Sequence, residues 1–263
     1  MTTRDQVGQL FMVGIQETSV SKELATFLKQ YRPGGIILFA RNLETPSQIA
    51  RLTNELHQLA TDSPLFISID QEGGRVSRLP AGFTIFPPCE LFGICQSPDL
   101  AYAAARATAT ELRAVGINMN LAPVLDINTN PSNPIIGNRA FGASPAEVSE
   151  LGAATIKGLQ DHHVIACGKH FPGHGDTAAD SHKELPVVSA SAATLQEREL
   201  QPFRKAITVG VASIMTAHVV YPALDDHAPG TLSHGILTDL LRHQLQFDGL
   251  ILTDDLEMQA ILA

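Results

Sequence analysis

The chain has 263 residues, of which 44% are hydrophobic, and this is enough for one large domain with a sizeable core. Its formal net charge of −9 argues against non-specific binding to nucleic acid or to an anionic membrane, since both favour surfaces rich in lysine and arginine. The three cysteines form no CxxC pair, no apolar signal core follows Met1 and no apolar run could span a bilayer, so we expect a cytoplasmic protein with reduced thiols.

Seven short apolar runs predict β-strands. In chain order they are QLFMVGI, GGIILFA, PLFISID, NMNLAPVLD, VIACGKH, ASIMTAHVV and GLILTDD. Their hydrophobicity is nearly continuous, which is typical of parallel strands that are buried on both faces.

Capped amphipathic segments lie between these runs and predict helices. Each combines a serine or threonine with a glutamine or glutamate three residues later, which is the spacing of a capping box. The predicted caps are Thr45, Ser144 and Thr194, and the predicted helix ends are Gly116 and Gly210. Alternating strands and helices predict a parallel α/β fold, and without a linker we expect one domain over residues 1–263.

Polar residues at the strand ends favour a (β/α)8 barrel over a doubly wound sheet. Nearly every predicted strand ends in one, namely Asp70, Asp126, His170, His218 and Asp254. In a barrel these ends meet at one mouth, whereas a doubly wound sheet gathers them only near its switch point. Since a closed barrel needs eight strands, the chain is a fragment, a strand is hidden in the sequence, or the barrel lacks its last strand and helix.

Three motifs place charged groups near these ends. In LTDDLEM only one of Asp254 and Asp255 can face the mouth, which makes one a candidate catalytic carboxylate and leaves a helix cap as the simpler alternative. In SIDQEGGRVSRLP, Asp70 ends a strand, Glu72, Gly73 and Gly74 form a turn, and Arg75 and Arg78 follow. A carboxylate beside an arginine suits a polyhydroxylated ligand, although a salt-bridged loop fits equally well. The segment NPIIGNRAFG supplies Arg139, either as a solvent-facing cation or as a second ligand-binding arginine.

The histidine-rich stretch KHFPGHGDTAADSH fits proton transfer better than metal binding. Pro172 and the glycines prevent the helix that an HxxxH zinc site requires, so no metal site is predicted. Asp180 and His182 lie two residues apart, where the carboxylate can orient the imidazole and favour its protonated form. The small residues before them predict a pliable lid. Schiff-base chemistry at Lys169 remains an alternative that leaves the histidines unexplained.

A strand-end carboxylate and an acid/base on a facing loop are the two groups that retaining glycosidases use, with a histidine here in place of the usual carboxylic acid. Six segments in this order resemble glycoside hydrolase family 3: DQEGGRVSR, APVLDIN, IGNRAFG, KHFPGHGDTAADSH, MTAHVVYP and LTDDLEM. They are most similar to its bacterial single-domain β-N-acetylglucosaminidases of peptidoglycan recycling. The resemblance implies a (β/α)8 barrel, with Asp254 as the nucleophile, His182 as the acid/base and Asp180 as the partner of His182. The residues that it implies for binding N-acetylglucosamine are Asp70, Arg78, Arg139, Lys169 and His170.

The implied reaction removes a terminal, non-reducing β-linked N-acetylglucosamine from 1,6-anhydro-N-acetylmuramic acid, with or without its peptide. It needs no cofactor, and we expect a monomer with a muropeptide substrate and with neither nucleic acid nor membrane as a partner. Longer members of the family take a glutamate acid/base from a second domain, whereas this chain has the DSH segment. A β-glucosidase, a phosphorylase, a metal-dependent hydrolase and a non-catalytic sugar-binding barrel remain open alternatives.

Overall fold

The structure is a computed structural model that describes residues 2–60, 64–181 and 184–262. Seven strands form one parallel sheet, and each pairs with the next sheet strand along the chain. They are β1 (Met12–Gly14), β2 (Gly35–Leu38), β3 (Phe66–Ile69), β4 (Met119–Asn120), β5 (Ile165–Phe171), β6 (Ser213–Thr216) and, after the antiparallel hairpin of β7 (Val220–Tyr221) and β8 (Asp225–Pro229), β9 (Leu250–Thr253). Every predicted run overlaps one strand of this sheet.

Helical segments follow the sheet strands. The α-helices are α1 (Thr3–Gly8), α2 (Lys22–Tyr31), α3 (Pro46–Leu59), α4 (Cys89–Cys95), α5 (Pro98–Ala114), α6 (Pro145–Gln160), α7 (Ala192–Thr194), α8 (Leu200–Thr208) and α9 (Gln259–Leu262). Two segments are π-helical. Leu195–Glu199 lies between α7 and α8, and Gly235–Gln244 follows the β7–β8 hairpin. Within the described ranges, no helix combines the length and the hydrophobicity needed to cross a membrane.

The strand order is that of a TIM-type barrel. It runs β1 to β6 and then β9 without a reversal, whereas a doubly wound sheet changes direction at a switch point. Among the described residues β1 and β9 are the two edges, so the sheet is an open, seven-stranded section of such a barrel. The predicted α/β barrel fold is therefore confirmed.

Two hydrophobic clusters cover the two faces of the sheet. One cluster receives side chains from all seven strands, from Met12 on β1 to Leu252 on β9, which requires a curled sheet. The other lies between the sheet and the helices and takes Ile36 and Leu38 from β2, while Ile37 between them packs on the inner face. Burial on both faces explains the continuous apolar runs of the sequence.

The predicted caps have different outcomes. Thr45 begins α3, and its hydroxyl accepts from the backbone N–H of Gln48 at 3.2 Å, as predicted. Ser144 precedes α6, but its side chain makes no capping hydrogen bond. The prediction of Thr194 as a cap is wrong, because Ser191 lies three residues earlier and its hydroxyl accepts from the Thr194 N–H at 3.1 Å.

The predicted helix ends are confirmed. Gly116 and Gly210 follow α5 and α8 with φ of 77° and 79°. This left-handed conformation favours glycine and ends each helix at the predicted position.

Candidate active site

The carboxyl ends of the sheet strands carry the ionisable groups of the site. Asp70 directly follows β3, His170 belongs to β5, and Asp254 directly follows β9. Asp126 lies on the segment after β4, and His218 comes two residues after β6. Since the strands are parallel neighbours, these ends lie at one edge of the curled sheet, where barrel enzymes place their chemistry.

Ion pairs connect the end of β3 with β5 and with the loop that carries Arg139. The ammonium of Lys169 donates to Asp70 Oδ1 at 2.7 Å and lies 2.8 Å from Glu72 Oε1. The guanidinium of Arg139 donates two parallel hydrogen bonds to the same glutamate, from Nε to Oε2 at 2.9 Å and from Nη2 to Oε1 at 2.8 Å. The side chains of Glu72 and Lys169 are each only 2% exposed, so this cluster is shielded from solvent screening.

Glu72, Lys169 and Arg139 are all ionised at neutral pH. Burial alone would raise the pKa of Glu72, but the Lys169 ammonium and the Arg139 guanidinium outweigh it and hold that pKa well below its usual range. Burial would lower the pKa of Lys169, yet Asp70 and Glu72 raise it above its usual range. Sequence reasoning missed Glu72 as a site residue, because it treated this glutamate only as part of the glycine turn.

The two arginines after that turn have different surroundings. Arg75 Nη2 donates to the carbonyl of Ile135 and lies 3.3 Å from that of Ile136, which fastens the turn to the loop of Arg139. The Nε of Arg78 is buried and has no hydrogen-bond partner within the part of the chain that the structure describes. A buried N–H without an acceptor costs free energy, so a hydrogen bond from Arg78 Nε to an oxygen atom of a bound ligand would be favourable.

Asp126 is hydrogen-bonded to the ring of His170. The carboxylate is fully buried, and its Oδ2 lies 2.6 Å from His170 Nδ1. Burial would raise the pKa of Asp126, but His170 outweighs it and the pKa stays below its usual value. With Nδ1 as the donor to this carboxylate, Nε2 is the ring nitrogen that can serve a ligand. The Lys169–His170 peptide bond is cis.

Asp254 is half-buried, whereas its neighbour Asp255 is exposed. Burial would raise the pKa of Asp254, but His170, the backbone N–H of Asp255 and Lys169 hold it below its usual value. The Asp255 N–H donates to Asp254 Oδ1 at 2.8 Å. Asp254 is thus an ionised carboxylate that is stabilised by neighbouring groups of β5 and by the backbone of Asp255.

His218 holds the backbone next to Asp254. Its Nε2 lies 2.9 Å from the carbonyl oxygen of Asp255, and its Nδ1 lies 2.7 Å from the hydroxyl of Thr231. Because both ring nitrogens bond to protein atoms, this strand-end histidine fixes the turn after β9 instead of offering a nitrogen to a ligand.

The segment after β5 is tightly packed in its first half. A Cβ at Gly175 would collide with the backbone of Ile127, and a Cβ at Gly173 would lie only 3.0 Å from the side chain of Glu199. These glycines allow close contact, which differs from the prediction of a pliable segment. Asp180 is half-buried near the end of this segment, and His182 lies outside the described residues.

Residues 2–263 match the Glycosyl hydrolase family 3 N terminal domain. The chain belongs to glycosyl hydrolase family 3. It is 43% identical over 255 residues to a Beta-hexosaminidase of Nitrosomonas eutropha, which covers 95% of this chain and 72% of that protein. The resemblance to this family is therefore confirmed, and the chain is a glycoside hydrolase domain.

Two solved structures share its fold over nearly the whole chain. A family 3 β-N-acetylglucosaminidase from Paenibacillus sp. str. FPU-7 superposes with a TM-score of 0.97 at 48% identity and covers 99% of this chain and 50% of that one. NagZ from Neisseria gonorrhoeae, in complex with N-trifluoroacetyl-D-glucosamine, superposes with a TM-score of 0.89 at 39% identity and covers 94% of this chain and 74% of that one. The chain thus spans between half and three quarters of these family members.

Proposed function

We propose that this family 3 domain is a retaining exo-β-N-acetylglucosaminidase with Asp254 as its nucleophile. The observation that carries the proposal is the position of Asp254 directly after β9, at the edge of the sheet that also carries Lys169 and His170 of β5, and its pKa lies below the usual value. A carboxylate must be ionised to attack the anomeric carbon of a sugar, and the groups that lower the pKa of Asp254 favour this form. The β-N-acetylglucosaminidase from Paenibacillus supports the sugar that we assign to the site.

The second catalytic group is assigned to His182, with Asp180 as its hydrogen-bond partner. This assignment rests on the DSH spacing and on the family resemblance. In the first step Asp254 attacks the anomeric carbon, the glycosidic bond breaks, and the leaving oxygen takes the proton of His182. In the second step His182 takes a proton from water, the water oxygen attacks the anomeric carbon, and the ester to Asp254 breaks. Two inversions give a product with retained configuration.

The sugar subsite is assigned to Asp70, Arg78, Arg139, Lys169 and His170. Asp70 uses Oδ1 for Lys169 and has Oδ2 to accept from a sugar hydroxyl. Lys169 spends two of its three N–H groups on Asp70 and Glu72, which leaves one to donate. The N-trifluoroacetyl-D-glucosamine bound to NagZ supports an N-acylated glucosamine as the ligand of this subsite.

The aglycone that we propose is 1,6-anhydro-N-acetylmuramic acid, with or without its peptide, as part of peptidoglycan recycling by a monomer in the cytoplasm. Muropeptides are acidic, so a positively charged subsite would attract them. The two carboxylates Asp70 and Glu72 neutralise Arg139 and Lys169. Arg78 then supplies the net positive charge of the subsite.

Replacing the proposed nucleophile tests this function. Asp254→Asn should nearly abolish release of 4-nitrophenol from its N-acetyl-β-D-glucosaminide, since an amide cannot form the glycosyl ester. Asp255→Asn is the matched control, because its side chain is exposed, and should keep most of the activity. Near-normal turnover by Asp254→Asn would remove Asp254 as the nucleophile.

A further inference from the structure

Gln71 follows Asp70 in the sequence but has no part in the mechanism above. It is 5% exposed, and its side chain reaches across the turn that begins after β3. Its Oε1 accepts from the backbone N–H of Arg78 at 2.8 Å and from that of Leu79 at 3.3 Å. Its Nε2 donates to Ser77 Oγ at 2.9 Å. One buried amide therefore joins the start of the turn to its end.

The backbone of Gln71 is fixed separately by β4. Its N–H donates to Asn120 Oδ1 at 3.0 Å, and its carbonyl accepts from Asn120 Nδ2 at 2.9 Å. Asn120 is the last residue of β4 and is only 1% exposed. Because these two bonds involve no side-chain atom of Gln71, they remain when that side chain is replaced. The side chain of Gln71 is thus anchored on the sheet and fixes the backbone of Arg78 from there.

The direction of the Arg78 side chain depends on this backbone. Within the described ranges, Arg78 Nε is buried without a hydrogen-bond partner, whereas Arg139 is oriented by two bonds to Glu72. A side chain that lacks such a bond takes its direction from its backbone and its packing. We propose that Gln71 is a positioning residue, which directs Arg78 towards the N-acetylglucosamine subsite by fixing the Arg78 backbone. This inference rests on the proposed function, because it takes Arg78 as a group that binds the sugar.

Backbone bonds hold the tip of the turn without the Gln71 side chain. The Glu72 N–H donates to the carbonyl of Val76 at 2.9 Å, and the Val76 N–H donates to that of Gly73 at 3.2 Å. Loss of the Gln71 amide should therefore release residues 77–79 while the tip of the turn keeps its shape.

Two substitutions weaken this contact to different degrees. Methionine is close to glutamine in length, so Gln71→Met removes the three side-chain hydrogen bonds without leaving a large cavity. Ser77→Ala removes only the bond from Nε2 and is the smaller change. Gln48→Met is the matched control, because Gln48 is also buried and its side chain also makes three hydrogen bonds to the backbone. Gln48 lies on α3 and is not assigned to the sugar subsite.

The test is a double-mutant cycle with Arg78→Ala, measured as KM and kcat for 4-nitrophenyl N-acetyl-β-D-glucosaminide. Arg78→Ala alone and Gln71→Met alone should each raise KM about tenfold and change kcat less than about threefold, since both weaken sugar binding. In the Arg78→Ala background, Gln71→Met should change KM less than about twofold, because the side chain that it positions is gone. Gln48→Met should leave KM within about twofold of its starting value in either background.

The single variants separate this inference from the proposed function. If Arg78→Ala leaves KM unchanged, the assignment of Arg78 to the sugar subsite fails, and the positioning role fails with it. If Arg78→Ala raises KM and Gln71→Met does not, only the positioning role is overturned. Effects on KM that multiply in the double variant would also overturn it, because Gln71 would then act without Arg78. Should Gln71→Met fail to fold, the cycle with Ser77→Ala decides, with an expected rise in KM of about threefold that disappears in Arg78→Ala.

Discussion

Glu72 is the shared counterion of Arg139 and Lys169 at the centre of the charged cluster. It accepts two parallel bonds from Arg139 and lies 2.8 Å from the Lys169 ammonium. Removing one member of a buried ion pair leaves the other charges without compensation, which typically costs about 3–5 kcal/mol. The orientation of both proposed sugar-binding cations therefore depends on a residue that is not assigned to touch the sugar.

For Glu72→Gln we expect two linked losses. The KM for 4-nitrophenyl N-acetyl-β-D-glucosaminide should rise roughly tenfold or more, which corresponds to about 1.4 kcal/mol of binding free energy. The free energy of unfolding should fall by about 3–5 kcal/mol, because Arg139 and Lys169 keep their charges in a buried site. Glu90→Gln, an exposed change on α4, is the control for both measurements. An unaltered KM in a folded Glu72→Gln protein would contradict this role.

Strand-end residues could be predicted from the sequence, whereas Glu72, the shared counterion of Arg139 and Lys169, could not. Asp70 and Asp254 directly follow continuous apolar runs, which is a local pattern. Glu72 stands only two residues after Asp70, but its partner Arg139 lies 67 residues away along the chain. Only the folded sheet brings these groups together. The catalytic role of His182 stays a prediction.

At the scale of single elements, α3 and α6 begin with the same sequence pattern and differ in structure. Thr45 and Ser144 are both exposed, and each precedes a proline at the start of its helix. Only Thr45 uses its hydroxyl as a cap. The pattern therefore predicts where a helix begins but not whether the cap bond forms.

This difference gives a matched pair of variants. Thr45→Ala should lower the free energy of unfolding by about 1 kcal/mol, which is the typical cost of losing an N-cap bond. Ser144→Ala should lower it by less than about 0.5 kcal/mol, the usual range for surface changes that break no such bond. Urea denaturation of the two variants and the wild type measures both values. Equal losses would contradict the difference in capping.

The β7–β8 hairpin was not predicted, because its second strand lacks hydrophobic periodicity. The β7–β8 hairpin carries Asp225, Asp226 and His227, and the latter two are exposed. Such a polar strand has no apolar face to reveal it. The sheet strands, in contrast, are apolar on both faces, and all seven were predicted.

At the scale of the whole molecule, a buried carboxyl links stability to pH. Glu199 is 1% exposed, and its Oε1 accepts from Arg198 at 2.6 Å. Burial, together with Asp126 and Asp176, raises the pKa of Glu199 from 4.5 to about 7 although Arg198 opposes this shift. Between those two values the folded protein binds more protons than the unfolded chain, so stability falls as the pH rises through this window.

Replacement of this carboxyl should flatten that dependence. In Glu199→Gln the difference in unfolding free energy between pH 5 and pH 8 should be smaller than in the wild type, because the amide does not titrate. Glu90→Gln serves again as the exposed control and should leave the slope unchanged. An equally steep fall in Glu199→Gln would show that other groups cause it.

The barrel could be inferred because polar residues recur at strand ends, a feature that spans the whole sequence. Closure of the sheet could not be inferred, since seven runs fit an open or an incomplete barrel equally well. The structure shows β1 and β9 as edges among the described residues. The inner cluster that receives side chains from all seven strands explains why the sheet still curls.

Covalent trapping tests the proposed nucleophile most directly. The protein is incubated with a 5-fluoro N-acetylglucosaminyl fluoride, and the intact mass and the proteolytic peptides are measured by mass spectrometry. We expect the mass of one fluorosugar to be added, with the label on Asp254 and no labelling of Asp254→Asn. A label on another residue, or inactivation without an added sugar, would contradict Asp254 as the nucleophile.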